Sequence, residues 1–258
     1  MPELTFDHLP DIFEKNKEIF YEVDSYVKIY LRDYHLNGWT ILDGAKRWVE
    51  ENHFLIQAPI KDHTLGGFIF MKKPKVLCYL NSWQPRIYQN FILLHEVFHI
   101  ISRTQNEPEK LHIIESDLGR DLDERKADYF ASLLLMDAAE VVSFYQSLRE
   151  EVLLDKIIQT MSRFLAPYKA VLIRLYELQL ISVEDLRVWF DQKLDFEDEF
   201  VRLGLDPSPV QRSMLINFQE VEKLMEHGRD RLPSLANESN WSTLNAVKEY
   251  FESIKRAR

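Results

Sequence analysis

The chain is predicted to fold as a helix-rich α+β protein, and three features of its sequence support this. Hydrophobic side chains make up 46% and charged side chains 29% of its 258 residues, a balance typical of globular proteins with a buried core. Only seven glycines occur, so few positions supply the positive φ that tight turns require. Helical spacing of apolar residues prevails along most of the chain, and one short segment carries a β pattern.

The N-terminal residues 11–60 show the mixed apolar and charged spacing of amphipathic helices rather than of strands. Two apolar runs follow at 68–71 and 76–80, and the loop between them contains Pro74. Because proline cannot donate a hydrogen bond to a strand ladder, these runs are predicted to form a β-hairpin around that loop. Residues 81–85 then end the hairpin and introduce a helix.

Residues 87–102 are apolar on almost every face, which indicates a helix buried inside a domain. The polar residues 104–120 are interpreted as a connection, and a second helix is predicted from about 121 to 136. Helical patterns continue from 140 to 205, break at 206–209 and resume toward the end of the chain.

Three regions are predicted from this pattern. N-terminal helices, residues 1–63, are expected to pack on a central α+β domain over residues 64–140. A helical C-terminal region follows over residues 141–258. No internal repeat or low-complexity tract in the sequence marks a further boundary.

The charge and cysteine content exclude several classes of protein. A net charge of −10 argues against overall attraction to nucleic acid or to an anionic membrane. A local basic face would still permit contact with DNA, so direct DNA binding is an alternative that we do not favour. No stretch approaches the roughly 20 apolar residues of a membrane-spanning helix, and the N-terminus lacks an apolar run of signal-peptide length. Cys78 is the only cysteine, which fits a reducing compartment, so the protein is predicted to be cytoplasmic.

The strongest chemical signal is the segment His95-Glu96-Val97-Phe98-His99, inside the apolar helix. Four residues along an α-helix advance about 6 Å and about 40° beyond a full turn, so both imidazoles project from one face. They are placed to bind one zinc ion, while Glu96 is placed to accept a proton from a metal-bound water. The alternative is a pair of hydrogen-bonded core histidines, which would place costly polar groups in an apolar helix.

A third metal ligand is expected from the second helix. Glu124, Ala127, Asp128 and Ala131 recur at helical spacing and share one face. Small residues allow a neighbouring helix to approach closely, so Glu124 is predicted to be the third ligand. Asp128, one turn further on, is predicted to accept the second imidazole N–H of a ligating histidine.

Alternatives to this assignment stay open. Asp121 and Glu124 also have the spacing of a capping box, in which Glu124 would bond back to the start of the helix. Three other carboxylates compete for the ligand role, although two fall in the predicted connection and one points away from the alanine face: Glu115, Asp117 and Asp123.

Taken together, these motifs resemble those of the ImmA/IrrE family of zinc metallopeptidases. That family has a short strand ending in asparagine, an H-E-x-x-H helix and an E-x-x-A-[ND]-x-F-A segment that leads into L-L-M. The matching segments here are residues 76–81, 95–99, 124–131 and 134–136. The likeness covers about 64–185, while residues 186–258 match nothing that we recognise. Because every candidate ligand precedes them, residues 186–258 are predicted to govern the choice of partner. Asp137 stands where many relatives have proline, a departure that affects the helix end and no ligand.

The resemblance implies a gluzincin-like catalytic core with zinc as its cofactor. It also implies a helix-turn-helix repressor as the protein substrate, whose cleavage would derepress mobile-element or stress genes. The first 60 residues show no helix-turn-helix module, so this partner would be a separate chain.

The predicted function is therefore that of a zinc-dependent endopeptidase, with His95, His99 and Glu124 as metal ligands and Glu96 as general base. The alternative is a non-proteolytic, metal-binding regulator or toxin–antitoxin component that acts by binding protein or DNA.

Overall fold

The computed structural model describes residues 4–34, 40–72, 75–103, 111–115, 122–228 and 238–256. Within them the fold is helix-rich α+β, as predicted. The strands are β1 (Phe54–Ala58), β2 (Leu65–Lys72), β3 (Lys75–Asn81) and β4 (Leu111–Glu115). The helices are α1 (Leu9–Ile29), α2 (Ile41–Asn52), α3 (Arg86–Arg103), α4 (Leu122–Leu135), α5 (Ala138–Ser147), α6 (Leu153–Phe164), α7 (Tyr168–Glu177), α8 (Val183–Trp189), α9 (Phe196–Arg202), α10 (Gln219–Gly228) and α11 (Glu238–Arg256).

The strands form one mixed sheet in the order β1-β3-β2-β4. β2 and β3 pair antiparallel, with Ile69 opposite Cys78, and they are the predicted hairpin. β1 pairs parallel with β3, and β4 pairs antiparallel with β2. The register of β2 against β4 shifts between Leu65 and Phe68, a short stretch that contains two glycines.

Two strands lie where the sequence predicts none. β1 falls within residues 11–60, whose apolar spacing predicts helices, and its five residues are too few to stand out from the surrounding helical pattern. β4 falls within residues 104–120, whose polar sequence predicts a connection. Both interpretations are wrong for these strands. Their stability comes from pairing with strands distant in the sequence, and such pairing leaves little local signal.

Helix α3 packs between the sheet and α4, and α1 packs on α4 in turn. Gly66 of β2 lies so close to α3 that an added Cβ would be 2.6 Å from Ile92 Cδ1. On α4, Ala127 and Ala131 are fully buried, as expected for a face that meets another helix. The H-E-x-x-H segment is thus enclosed by packed elements on two sides.

One hydrophobic core runs from α1 to α9 and includes Leu9 at one end of this range and Phe200 at the other. The predicted break at 206–209 lies between α9 and α10. The predicted regions 1–63, 64–140 and 141–258 stay predictions, with β1 now added to the first of them.

A second cluster of buried side chains lies on the opposite face of the sheet. Alternate residues of β3 separate the two clusters, because Cys78 points into the main core and Tyr79 into the second one. Helices α10 and α11 supply Met225 and Leu244 to this second cluster and so cover that face. Among the described helices, none has both the length and the apolar character required to cross a membrane.

Candidate metal centre

Helix α3 carries the three residues of the H-E-x-x-H motif into the interior. His95, Glu96 and His99 are 2%, 0% and 1% exposed, and the helix around them contributes Leu94, Phe98 and other apolar residues to the core. Three polar side chains in such surroundings cost free energy unless they are paired or bind an ion. Their partners therefore determine what this site can do.

Helix α4 supplies the carboxylate that meets the two histidines. Glu124 Oε2 lies 3.0 Å from His95 Nε2, and Glu124 Oε1 lies 3.2 Å from His99 Nε2. The two Nε2 atoms are themselves 3.0 Å apart. The structure thus brings together the three residues that the sequence predicts as ligands. One ligand atom from each lies within 4.8 Å of the other two.

This donor set fits a metal ion. Four-coordinate zinc with bonds of 2.0–2.1 Å would separate its ligand atoms by about 3.3 Å, close to the spacing of the two nitrogens and the carboxylate. Two imidazole nitrogens and one carboxylate oxygen are donors that divalent transition metals accept. Three protein ligands would leave a position free for water or substrate.

Asp128 supports the first of these histidines from behind. His95 Nδ1 lies 2.9 Å from Asp128 Oδ1, and a carboxylate only accepts hydrogen bonds, so Nδ1 carries the hydrogen. The lone pair of Nε2 in the neutral ring is then directed at the cluster. This is the contact that the sequence predicts for Asp128.

The charges around His95 favour a cation at this position. Burial lowers the pKa of His95, but hydrogen bonds and charges from Asp128 and Glu124 outweigh it and raise the pKa to about 10. Burial raises the pKa of the Glu124 carboxyl, yet the two histidines hold that pKa well below its usual range. The cluster therefore attracts positive charge strongly, whether a proton or a metal ion.

Glu96 faces the sheet at a place where the sheet has no side chain. A Cβ added to Gly67 would lie 3.4 Å from Glu96 Oε1 and 2.6 Å from the carbonyl oxygen of Tyr79. Burial raises the pKa of the Cys78 thiol on β3 well above its usual value, and the charge of Glu96 adds to the effect. The sequence alone does not predict this close approach of Gly67 to Glu96, although the paired glycines at the start of a strand are a signal for it.

The competing carboxylates divide into two groups. The side chain of Asp123 is 54% exposed and lies 4.0 Å from Lys126 Nζ, and Asp123 is not part of the metal-ligand cluster. The side chains of Glu115, Asp117 and Asp121 lie outside the described residues, so the capping-box alternative for Glu124 is not tested.

A helix-rich α+β domain that presents His-Glu-x-x-His beside a glutamate of the next helix has the arrangement of a metallopeptidase. Residues 50–176 match the family model Peptidase_M78, described as the IrrE N-terminal-like domain. Residues 50–176 therefore form a domain of this family, the ImmA/IrrE family that the motifs resemble. The match begins in α2 and ends in α7. No curated protein is similar enough to count as a match.

Proposed function

We propose that the protein is a zinc-dependent endopeptidase. The observation that carries this proposal is the cluster of the buried His95 and His99 with the half-buried Glu124, next to Glu96, a general-base candidate on the helix of the two histidines. Zinc is the metal that we assign, because two imidazoles and one carboxylate with an open position are the ligands of known catalytic zinc sites. The family match supports a function of the metallopeptidase type.

Each residue has a defined task in this proposal. His95, His99 and Glu124 would hold the zinc ion, which supplies a Lewis acid for the scissile carbonyl when bound. Asp128 fixes the orientation of the His95 ring through the Nδ1 hydrogen bond. Glu96 accepts the proton of the attacking water and returns it to the leaving amine.

The substrate that we propose is a helix-turn-helix repressor or an antitoxin-like protein on a separate chain, whose cleavage regulates mobile-element or stress genes. Two considerations support it: the resemblance described for the sequence, and the net charge of −10. A DNA-binding repressor carries basic residues for the phosphate backbone, and an acidic protease attracts it electrostatically. With such a substrate, the location that we propose for the protein is the cytoplasm.

The first test is the metal content of ligand variants. We expect one zinc ion per wild-type chain and its loss in His95→Ala, His99→Ala and Glu124→Ala, because each change removes one of three protein ligands. Asp128→Ala should weaken zinc binding by about 10- to 100-fold rather than abolish it. Asp123→Ala, on the same helix and outside the cluster, is the control. Full zinc occupancy in Glu124→Ala would place the third ligand elsewhere.

The second test separates an enzyme from a regulator that acts by binding. Glu96→Gln keeps the shape of the side chain but cannot accept a proton, so zinc should remain while cleavage falls by about 10²- to 10⁴-fold. The measurement is cleavage of a candidate substrate, any small helix-turn-helix protein whose gene is found to adjoin this one, with zinc determined on the same sample. Glu140→Gln, an exposed change of the same kind, is the control. Wild-type derepression of the partner's promoter by Glu96→Gln in cells would favour the non-proteolytic regulator instead.

A further inference from the structure

Asp128 uses only one of its two oxygens on His95. Its other oxygen, Oδ2, faces the guanidinium of Arg125, with Nη1 at 3.6 Å. Arg125 is one turn earlier on α4 and is only 4% exposed. A buried guanidinium is costly to desolvate, so the groups around it must compensate for that cost.

The next partner of Arg125 comes from α1. Arg125 Nε donates to Asn16 Oδ1 at 2.9 Å, and Asn16 is 2% exposed. The amide of Asn16 in turn donates through Nδ2 to Glu177 Oε1 at 2.5 Å. Glu177 lies at the end of α7, where Arg174 Nη1 is 3.5 Å from its other oxygen.

A continuous line of polar contacts therefore leads from His95 through Asp128, Arg125 and Asn16 to Glu177. It connects the metal cluster on α3 and α4 to α1 and α7. Asn16 and Glu177 also line a cleft of about 930 Å³ that includes no residue of the cluster. The outer end of the line is thus separate from the place where a peptide bond would be cleaved.

The position of Asn16 makes a purely structural role unconvincing. Its neighbours on the buried face of α1 are apolar, including Ile12 and Ile19, and an apolar residue at position 16 would continue that face. Replacing a buried ionic group by well-packed apolar residues is often neutral or stabilising. Stability alone therefore does not account for the polar residue at position 16.

We propose that Asn16 and Arg125 are positioning residues of the metal centre, and this inference rests on the proposed zinc function. Asn16 holds the guanidinium of Arg125 in place, and Arg125 binds Oδ2 of Asp128. With Oδ2 fixed, Oδ1 faces Nδ1 of His95 and the ring keeps its orientation toward the cluster. Residue 16 precedes the family match at 50–176, so α1 is part of the support of this site.

The test compares the zinc affinity of the wild type with that of three variants, measured by competition with a chromogenic chelator. Asn16→Leu and Arg125→Lys should each raise the zinc dissociation constant by about 3- to 10-fold, less than the direct partner Asp128. Lysine keeps the charge but cannot reach Asn16 and Asp128 together as the planar guanidinium does. Ile19→Val is the matched control, because it trims the same buried face of α1 without touching the network.

A second measurement asks whether Arg125 acts through Asp128. In the Asp128→Ala background, Arg125→Lys should cost no further zinc affinity, because the group it positions is gone. In zinc-free protein, the downfield proton signal of His95 Nδ1 should shift in Asn16→Leu and stay in place in Ile19→Val. This signal also reports on Arg125→Lys, should Asn16→Leu fail to fold.

Three outcomes overturn the inference: equal zinc affinities in Asn16→Leu, Arg125→Lys and Ile19→Val; full additivity with Asp128→Ala; or an unmoved Nδ1 proton signal. Failure of the proposed function looks different. It would be seen as no zinc bound to the wild-type chain, or as undiminished cleavage by Glu96→Gln, whatever the network variants do.

Discussion

Gly67 has the strictest steric requirement of the residues around Glu96. It lies in β2 opposite α3, and a Cβ there would come within 2.6 Å of the Tyr79 carbonyl oxygen and 2.8 Å of Ile92 Cγ2. The carbonyl belongs to the backbone of β3 and cannot rotate away. The bare backbone of Gly67 is therefore what allows α3, with Glu96, to lie this close to the sheet.

Gly67→Ala is expected to destabilise the fold by about 1–3 kcal/mol through overpacking, and to displace Glu96. Gly66→Ala is the matched control, because its Cβ would meet only the end of the Ile92 side chain, which can change rotamer. Urea unfolding of both variants measures the difference, and cleavage assays report on Glu96. If Gly66→Ala proved as harmful as Gly67→Ala, the backbone contact with Tyr79 would not be the cause.

At the scale of single elements, the sequence predicts those features of the site that depend on residue spacing within one helix. The spacing of His95 and His99, or of Glu124 and Asp128, determines which side chains share a face, and the structure agrees. Which helices then meet is a tertiary property. The contact of Asn16 with Arg125 joins residues 109 positions apart, and no local sequence pattern predicts it.

His53 caps the C-terminal end of α2, immediately before β1, and its protonation makes the stability of the fold depend on pH. Its ring packs edge-on against Trp48, with the ring centroids 5.2 Å apart. Burial, with a contribution from Lys75, lowers the pKa of His53 from 6.5 to about 4. Since the folded state resists protonation, the unfolded chain takes up the proton first as the pH falls from about 6.5 toward 4. The stability that neutral His53 contributes is thus complete above this window and lost within it.

His53→Phe is expected to make the protein less sensitive to acid, because it keeps an aromatic ring against Trp48 and removes the titrating group. The free energy of unfolding, measured in urea at pH 7 and pH 5, should fall less in this variant than in the wild type. His63→Phe, at an exposed position, is the control and should match the wild-type loss. Equal losses in wild type and His53→Phe would mean that His53 ionises freely in the folded protein.

At the scale of the whole molecule, the structure changes the meaning of the C-terminal region. The sequence suggests a recognition role for residues 186–258, because the candidate ligands all precede them. The structure shows that this region also buries side chains, with Phe190 and Phe200 in the main core. Asn217 exchanges two backbone hydrogen bonds with Gln57 of the edge strand β1, which protects that edge. Such contacts join residues far apart in the sequence, and the apolar spacing of α10 does not predict which element it packs against.

Phe218 tests whether the second face of the sheet depends on the C-terminal helices. It is 8% exposed, belongs to the cluster with Tyr79 and Leu244, and lies 6.1 Å from the ring of Phe251 between centroids. Phe218→Ala should lower the free energy of unfolding by about 3 kcal/mol, since it leaves a cavity against the sheet. Under the proposed function, zinc content should not change, because the cluster of His95, His99 and Glu124 lies between α3 and α4, on the other side of the sheet. Leu224→Ala, half-exposed on α10, should cost much less and serves as the control. Equal stabilities of the two variants would mean that the packing of Phe218 against the sheet adds little to the stability of the fold, and would leave residues 186–258 with the recognition role that the sequence predicts.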